Sequence, residues 1–290
     1  MTFRDALSSR RFVVTTELVP PRGASAAACR DRAVELAAFA DAINITDGAG
    51  AAVRMSSLAA AAIVAQAGGA PIVQITTRDR NRIALAADVL GAAALGAVGV
   101  LPLYGDPVAG GENPGAMEVR DLEPIELTRL IAALNAGVLP SGSTFEGACD
   151  LPIGAAATPG GASLAGLVAK VEAGVSFIQT QMVLDIEVLR SWLARIREEG
   201  LHERAAVIVG IAVPGSAAVA ERFRTFGAAV PDEVVRRAGA GEGAAIAREI
   251  VQEVAATPGV AGVHLYPLST PLGAIAELAA LARQRAAAAR

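Results

Sequence analysis

Short runs of β-branched and aliphatic residues alternate with longer Ala- and Leu-rich stretches from one end of the chain to the other. That rhythm predicts parallel strands joined by crossover helices. Eight runs read as strands: Phe12 to Val19, Ala42 to Thr46, Ile72 to Thr76, Val98 to Leu103, Leu151 to Ala156, Ser176 to Thr180, Ala206 to Ile211 and Gly262 to Tyr266. Helices are expected at about Ser25 to Ala38, Val53 to Ala67, Asp79 to Leu95, Val119 to Asn135, Ser163 to Ala173 and Asp185 to Glu199. More follow at Pro214 to Arg222, with a further helical stretch to Ala256, and at Pro271 to Arg285. Strand–helix pairs without a recognisable linker argue for one α/β domain over residues 1–290, a closed (β/α)8 TIM barrel rather than an open doubly wound sheet. Two connections rich in Gly and Pro, Tyr104 to Glu118 and Ala136 to Asp150, are expected to lie over the barrel mouth. Gly239 to Gly243 reads as a turn, and the Ala-rich tail after Arg283 as a fraying end.

Composition narrows the class. Hydrophobic residues make up 53% of the chain but aromatics only 3%, so the excess is mostly Ala, Val and Leu, which suits helix-on-strand packing. The least charged stretch, Val89 to Leu103, is interrupted by Gly91, Gly96, Gly99 and Pro102 and falls short of the roughly 20 apolar residues of a membrane span. Arg4, Asp5 and Arg10 open the chain without the apolar centre of a signal peptide, so a soluble, cytoplasmic protein with no membrane association is expected. Cys29 and Cys149 are far apart and read as buried or incidental thiols. A net charge of −4 with dispersed basic residues gives a nucleic-acid groove no footing. His202 and His264 are too isolated for a metal site, and neither a Ser/His/Asp grouping nor a Gly-Lys-Ser/Thr phosphate loop is present.

In such a barrel, the polar residues that do chemistry come from strand C-termini and the loops after them. That rule selects Glu17, Thr46 and Asp47, Gln74 with the loop Thr76 to Arg82, Asp106, Thr158, Gln179 with Gln181, and Tyr266. Arg78, Arg80 and Arg82 crowd one strand-to-helix junction, and two accounts are open for them: a phosphorylated ligand, or pairing with nearby acids. Glu17 follows an apolar strand and precedes two prolines; burial would raise its pKa and fit it for proton donation, whereas pairing with Arg22 would make it structural. Gly105 lets the backbone turn tightly before Asp106, after Tyr104. Gln179 and Gln181 are read as facing opposite sides of their strand, with one amide aimed into the mouth. Lys170, the single lysine, stands late in a helix where the C-terminal dipole favours a cation.

Five segments in order, Thr16 to Gly23, Asp41 to Asp47, Gln74 to Arg82, Gly105-Asp106 and Gln179 to Gln181, resemble methylenetetrahydrofolate reductase. The match looks closest to the short bacterial branch, including acetogen-type enzymes, and extends over almost the whole chain. The resemblance implies a barrel holding FAD that takes a hydride from NADH or NADPH and passes it to 5,10-methylenetetrahydrofolate, giving 5-methyltetrahydrofolate. Carried over by residue, Glu17 matches the acid that assists opening of the folate's five-membered ring, and Asp106 an acid near flavin and pterin. Gln181 matches a substrate-touching amide, with Gln179 and Tyr266 beside it on the substrate side. Thr46 matches a flavin-contacting threonine and Lys170 a basic residue near the flavin's phosphates. Asp47, Gln74, Thr76, Arg78, Arg80, Arg82, Tyr104, Gly105 and Thr158 complete the cofactor side.

The chain departs from the better-known branch at three places. Tyr104 stands where an arginine is usual, Thr158-Pro159 where His-Pro is usual, and Ser163 where an acid precedes the lysine. These positions help hold the flavin's ribose and diphosphate in that branch, so FAD, FMN and no flavin all stay open, with Arg78, Arg80 and Arg82 as compensating cations. A flavin-independent reductase, and a subunit active only with a zinc- or iron–sulfur-bearing partner, are the alternatives, and homo-oligomerisation is open. An unrelated aldolase-like barrel is disfavoured because Lys170 sits in a helix rather than on a strand.

Overall fold

Strands form where the aliphatic runs fall. In the computed structural model, which describes residues 2–161 and 163–289, they are β1 (Val13–Leu18), β2 (Ala42–Ile45), β3 (Pro71–Thr76), β4 (Gly99–Leu103), β5 (Gly154–Ala157), β6 (Phe177–Met182), β7 (Ala206–Ala212) and β8 (Val260–Tyr266). All pairings are parallel, in the order β4-β3-β2-β1-β8-β7-β6-β5. The seam between β4 and β5 is drawn together by a bridge from Val100 to Ile153, where the Val100 N–H donates to the Pro152 carbonyl at 3.0 Å. The result is a nearly closed (β/α)8 barrel, as the rhythm predicts.

The helices are α1 (Phe3–Ser8), α2 (Ala26–Ala37), α3 (Ser57–Gln66), α4 (Arg82–Ala94), α5 (Pro124–Asn135), α6 (Ala165–Glu172), α7 (Ile186–Glu198), α8 (Leu201–Arg204), α9 (Ala217–Thr225), α10 (Asp232–Gly239), α11 (Gly243–Ala256) and α12 (Leu272–Ala288). Capping moves several starts from where periodicity puts them. The Ser56 hydroxyl accepts the Ala59 N–H at 3.2 Å, so α3 begins at Ser57 and leaves Val53 to Met55 in the preceding loop. A capping box of Glu123 and Glu126 with Pro124 at the first position starts α5 there rather than at Val119. Asn81, not Asp79, caps α4, accepting the N–H groups of Ile83 and Ala84 at 3.1 Å each. The tail does not fray at Arg283, since α12 stays helical to Ala288. Neither α1 nor α8 is anticipated by the sequence pattern.

One loop expectation is corrected. The segment Ala136 to Asp150 runs from a helix into a strand, so barrel topology puts it at the strand N-termini, opposite the mouth. There Asp150 ion-pairs with Arg4 of α1 at 2.6 Å. The segment Tyr104 to Glu118 does follow a strand and lies on the mouth side.

The lumen is layered by the two-residue period of the strands. At its base Val13, Ala42, Ile72, Leu101, Phe177 and Ile208 form an apolar cluster closed from below by Phe3 and Ala6, with the Phe3 and Phe177 rings edge-on at 5.5 Å. Two positions further along the strands stand the buried polar residues Thr15, Asn44, Gln74, Gln179 and His264. Glu17, Thr46, Thr76 and Tyr266 come next, at the mouth. The other face of the strands packs under the helices as one continuous apolar shell.

Close strand approach fixes this arrangement at Gly262, whose missing Cβ would fall on the carbonyl oxygen of its register partner Val13. Gly262→Ala is therefore expected to lose about 2–3 kcal/mol in urea unfolding. Gly23→Ala, where nothing stands within 4 Å, should change stability by less than about 0.5 kcal/mol. Equal stability of the two variants would contradict the close approach of β1 and β8.

Candidate active site

Alternation along β1 aims Val13, Thr15 and Glu17 into the lumen, and register pairs Glu17 with Asn44 on β2. Arg22, the partner that would have made Glu17 structural, instead ion-pairs with Glu112. No hydrogen bond or ion pair to the Glu17 carboxyl exists among the described residues. Half-buried at the mouth, the carboxyl is pushed up to about 7 by desolvation.

Beside it, the Tyr266 hydroxyl donates to the Thr180 carbonyl at 3.2 Å. Burial raises its pKa, the Glu17 carboxyl adds to the rise, and the Gln179 amide opposes it. Beneath lies His264, its ring edge-on to Tyr266 with centroids 4.5 Å apart and Nδ1 2.9 Å from the Thr15 hydroxyl. Burial holds His264 neutral, its pKa depressed to about 3, and Nε2 has no partner. Across the lumen the Asn44 amide donates to Gln179 Oε1 at 2.6 Å.

Gln179 and Gln181 require a correction. Residues two apart on a regular strand share a face, so alternation does not set them on opposite sides. Their surroundings differ because the pairing of β6 with β7 shifts register between Gln179 and Met182. Gln179 is buried in the lumen, whereas Gln181 is partly exposed with its amide oxygen on the Met182 N–H at 3.3 Å.

The arginine loop resolves toward protein carboxylates. Arg78 is 5% exposed, forms a two-pronged pair with Asp79 at 2.7 Å, and reaches the carbonyls of Gly48 and Asp106. Arg80 bridges Asp47 and Asp88, each at 2.7 Å. Arg82 grips Asp121 through two bonds and holds that carboxyl down at about 2. Asp47 is a hub, also accepting the Thr76 N–H and hydroxyl at 2.9 and 3.0 Å. All three guanidiniums are thus neutralised within the fold.

Around the rim, Asp106 is exposed and accepts the Gly50 N–H at 2.6 Å, tying the loop after β4 to the loop after β2. Gly105 has φ +87°, and a Cβ there would press on Arg78 and Thr76. Tyr104 is exposed, and its ring carries the Arg120 guanidinium 3.7 Å from its centre. Thr46 is buried with an unpartnered hydroxyl, Gln74 is buried in the lumen, and Thr158 is exposed after β5. Lys170 stands in the last turn of α6, partly buried, with burial lowering its pKa.

Three residues escape the sequence reading. Asn44 and His264 interrupt aliphatic strands, and a polar residue inside such a run is the signal for a lumen position. Arg54 was absorbed into the helix expected from Val53; it lies in the loop before α3, on a cavity of about 310 Å3 shared with Asp47, Gly48, Arg78 and Arg80. Arg54 donates to the Pro20 carbonyl at 3.1 Å, leaves Nε unpartnered, and ion-pairs with no carboxylate among the described residues. A second cavity of about 410 Å3, lined by Val213, Ser216, Arg248 and Thr270, opens beside the exits of β7 and β8.

Among solved structures, an uncharacterized protein from Clostridium thermocellum that binds two copies of 5-methyl-5,6,7,8-tetrahydrofolic acid superposes with a TM-score of 0.66 at 11% identity, over 98% of this chain and 99% of that one. Tryptophan synthase from M. tuberculosis follows at 0.53 and 16%, over 99% and 96%. For 2,3-dimethylmalate lyase the values are 0.53 and 15%, over 95% and 81%. Such low identities establish a shared fold, which many chemistries use. No curated protein sequence matches the chain. The family model for methylenetetrahydrofolate reductase matches residues 2–278, and the chain belongs to that family.

Proposed function

We propose that this protein reduces 5,10-methylenetetrahydrofolate to 5-methyltetrahydrofolate with NAD(P)H through a bound flavin, with Glu17 as the general acid. Family membership supports a methylenetetrahydrofolate reductase type of function, and the folate-binding C. thermocellum protein shares the fold. The observation that carries the finer reading is Glu17, half-buried at the barrel mouth with no hydrogen-bond or ion-pair partner among the described residues and poised at about 7. An acid with that pKa is still about half protonated at neutral pH and gives its proton up readily. Its proton would go to the folate nitrogen that leaves as the five-membered ring opens, generating the iminium carbon that accepts hydride. Gln181 and Tyr266 would border the pterin, and the cavity beside the exits of β7 and β8 would take the rest of the folate.

The residues present fit a flavin. Thr46 offers a buried hydroxyl without a partner, and Arg54 offers a guanidinium without a carboxylate on the neighbouring cavity. These two would hold the cofactor, with Asp106 at its edge and Lys170 assigned by resemblance. The chemistry that a bound flavin supplies is storage of a hydride from NAD(P)H. One observation favours the flavin-free alternative, direct transfer from NAD(P)H: the three loop arginines already have protein carboxylates.

The absorbance spectrum of freshly purified protein separates the two, since bleaching by NADH and recovery on adding methylenetetrahydrofolate, without oxygen, require a flavin. Glu17→Gln is expected to leave bleaching within about twofold and to slow folate turnover by about 100-fold or more; equal loss of both steps would remove Glu17 from its role. Because the protonated carboxyl is the active form, folate turnover in the wild-type protein should fall about tenfold per pH unit above about 7. A profile flat to pH 9 would contradict this. Arg54→Ala should weaken flavin retention on dilution by about tenfold, a loss of about 1.4 kcal/mol, and unchanged retention would put Arg54 outside the cofactor site.

A further inference from the structure

We propose that the amide bridge between Asn44 and Gln179 is a positioning device for Glu17, holding the Asn44 donor across the lumen and away from the neighbouring carboxyl. The inference deepens the reading of Glu17 as proton donor and rests on it. Glu17 and Asn44 are register partners on β1 and β2, with side chains on the same face and backbones about 4.8 Å apart. An amide in that position would ordinarily donate to the carboxylate. Here Asn44 Nδ2 donates at 2.6 Å to Gln179, 135 positions later on β6, while Asn44 Oδ1 has no partner. That single bond orients a side chain that is 0% exposed.

No other group around Glu17 hydrogen-bonds to its carboxyl either, among the described residues. From β8, the Tyr266 hydroxyl is bound to the Thr180 carbonyl, and His264 meets Thr15 through Nδ1 while its Nε2 has no partner. At the exit of β2, Thr46 keeps an unpartnered hydroxyl and Asp47 is held by Arg80, while Thr76 of β3 donates to Asp47. From β6, Gln181 accepts the Met182 N–H through its amide oxygen, and β7 presents only Gly210 and Ala212. Removing the Gln179 acceptor would free a buried N–H, with the carboxylate of its register partner Glu17 beside it as an acceptor. A hydrogen bond to the charged form favours ionisation.

The test is an NMR titration of the Glu17 carboxyl in protein labelled with carbon-13 glutamate, the resonance assigned by its loss in Glu17→Gln. Gln179→Met is expected to lower the midpoint by about one unit, a tenfold change in the protonation equilibrium. Asn44→Leu, which removes the donor itself, should leave the midpoint raised, and Asn44→Leu combined with Gln179→Met should restore it. Gln179→Glu retains an acceptor for Asn44 and should keep the midpoint at or above the wild-type value, which preserves the test if Gln179→Met does not fold. A merely structural bond would make Gln179→Met and Asn44→Leu behave alike, and that result, or a fall in Gln179→Glu, overturns the proposal. The titration reads the carboxyl without turnover, so failure of the reductase reading alone would leave these shifts intact.

Discussion

The inside of a parallel barrel is too narrow for bulk water at its base, so each inward side chain must either fill space or find a polar partner. That constraint orders everything else in this protein. Phe177 and its neighbours fill the base, with Phe3 of the first helix as a stopper. The next layer is polar and is linked across strands, Thr15 with His264 and Asn44 with Gln179, though Asn44 Oδ1 and His264 Nε2 stay unpartnered. Only above them, at the strand exits, does the lumen open enough to receive a ligand.

Electrostatics at the mouth follow from the same scarcity of water. Arg78 and Arg80 could not remain buried or half-buried as free cations, and Asp79, Asp47 and Asp88 neutralise them, while the exposed Arg82 pairs with Asp121. This pairing builds a rigid wall from the loops after β2 and β3. Against that wall two groups stand without an opposite charge, the Glu17 carboxyl and the Arg54 guanidinium. An uncompensated acid in a half-buried mouth holds its proton to higher pH than usual; an uncompensated cation beside a cavity attracts an anion. The two together suit a site that donates a proton while holding a phosphate-bearing cofactor.

Much of the fold is legible in the sequence because strand formation depends on local aliphatic runs and the two-residue period. Seven of the eight strands begin and end within two residues of their expected positions; the exception is β5, where Leu151 to Ile153 lead into the strand, Ile153 making only the isolated bridge to Val100. Helix starts are less legible, since Ser56, Asn81 and Glu123 decide them through single capping bonds that periodicity does not register. The rule that chemistry gathers at strand exits picks out Glu17, Thr46 and Tyr266 correctly as mouth residues. It passes over Asn44 and His264, one layer down, and hides Arg54 inside a helix that begins later than expected.

By itself, the sequence determined the strand–helix rhythm, the family pattern and which polar side chains stand at strand exits, because these depend on neighbours along the chain. Only the tertiary structure decided what each charge touches: that Arg22 belongs to Glu112 and not to Glu17, and that the arginine loop faces carboxylates. It also brought Asn44 to Gln179 across 135 positions. The pKa of Glu17 is raised by burial, and burial of that kind arises from closure of the barrel rather than from local residue order.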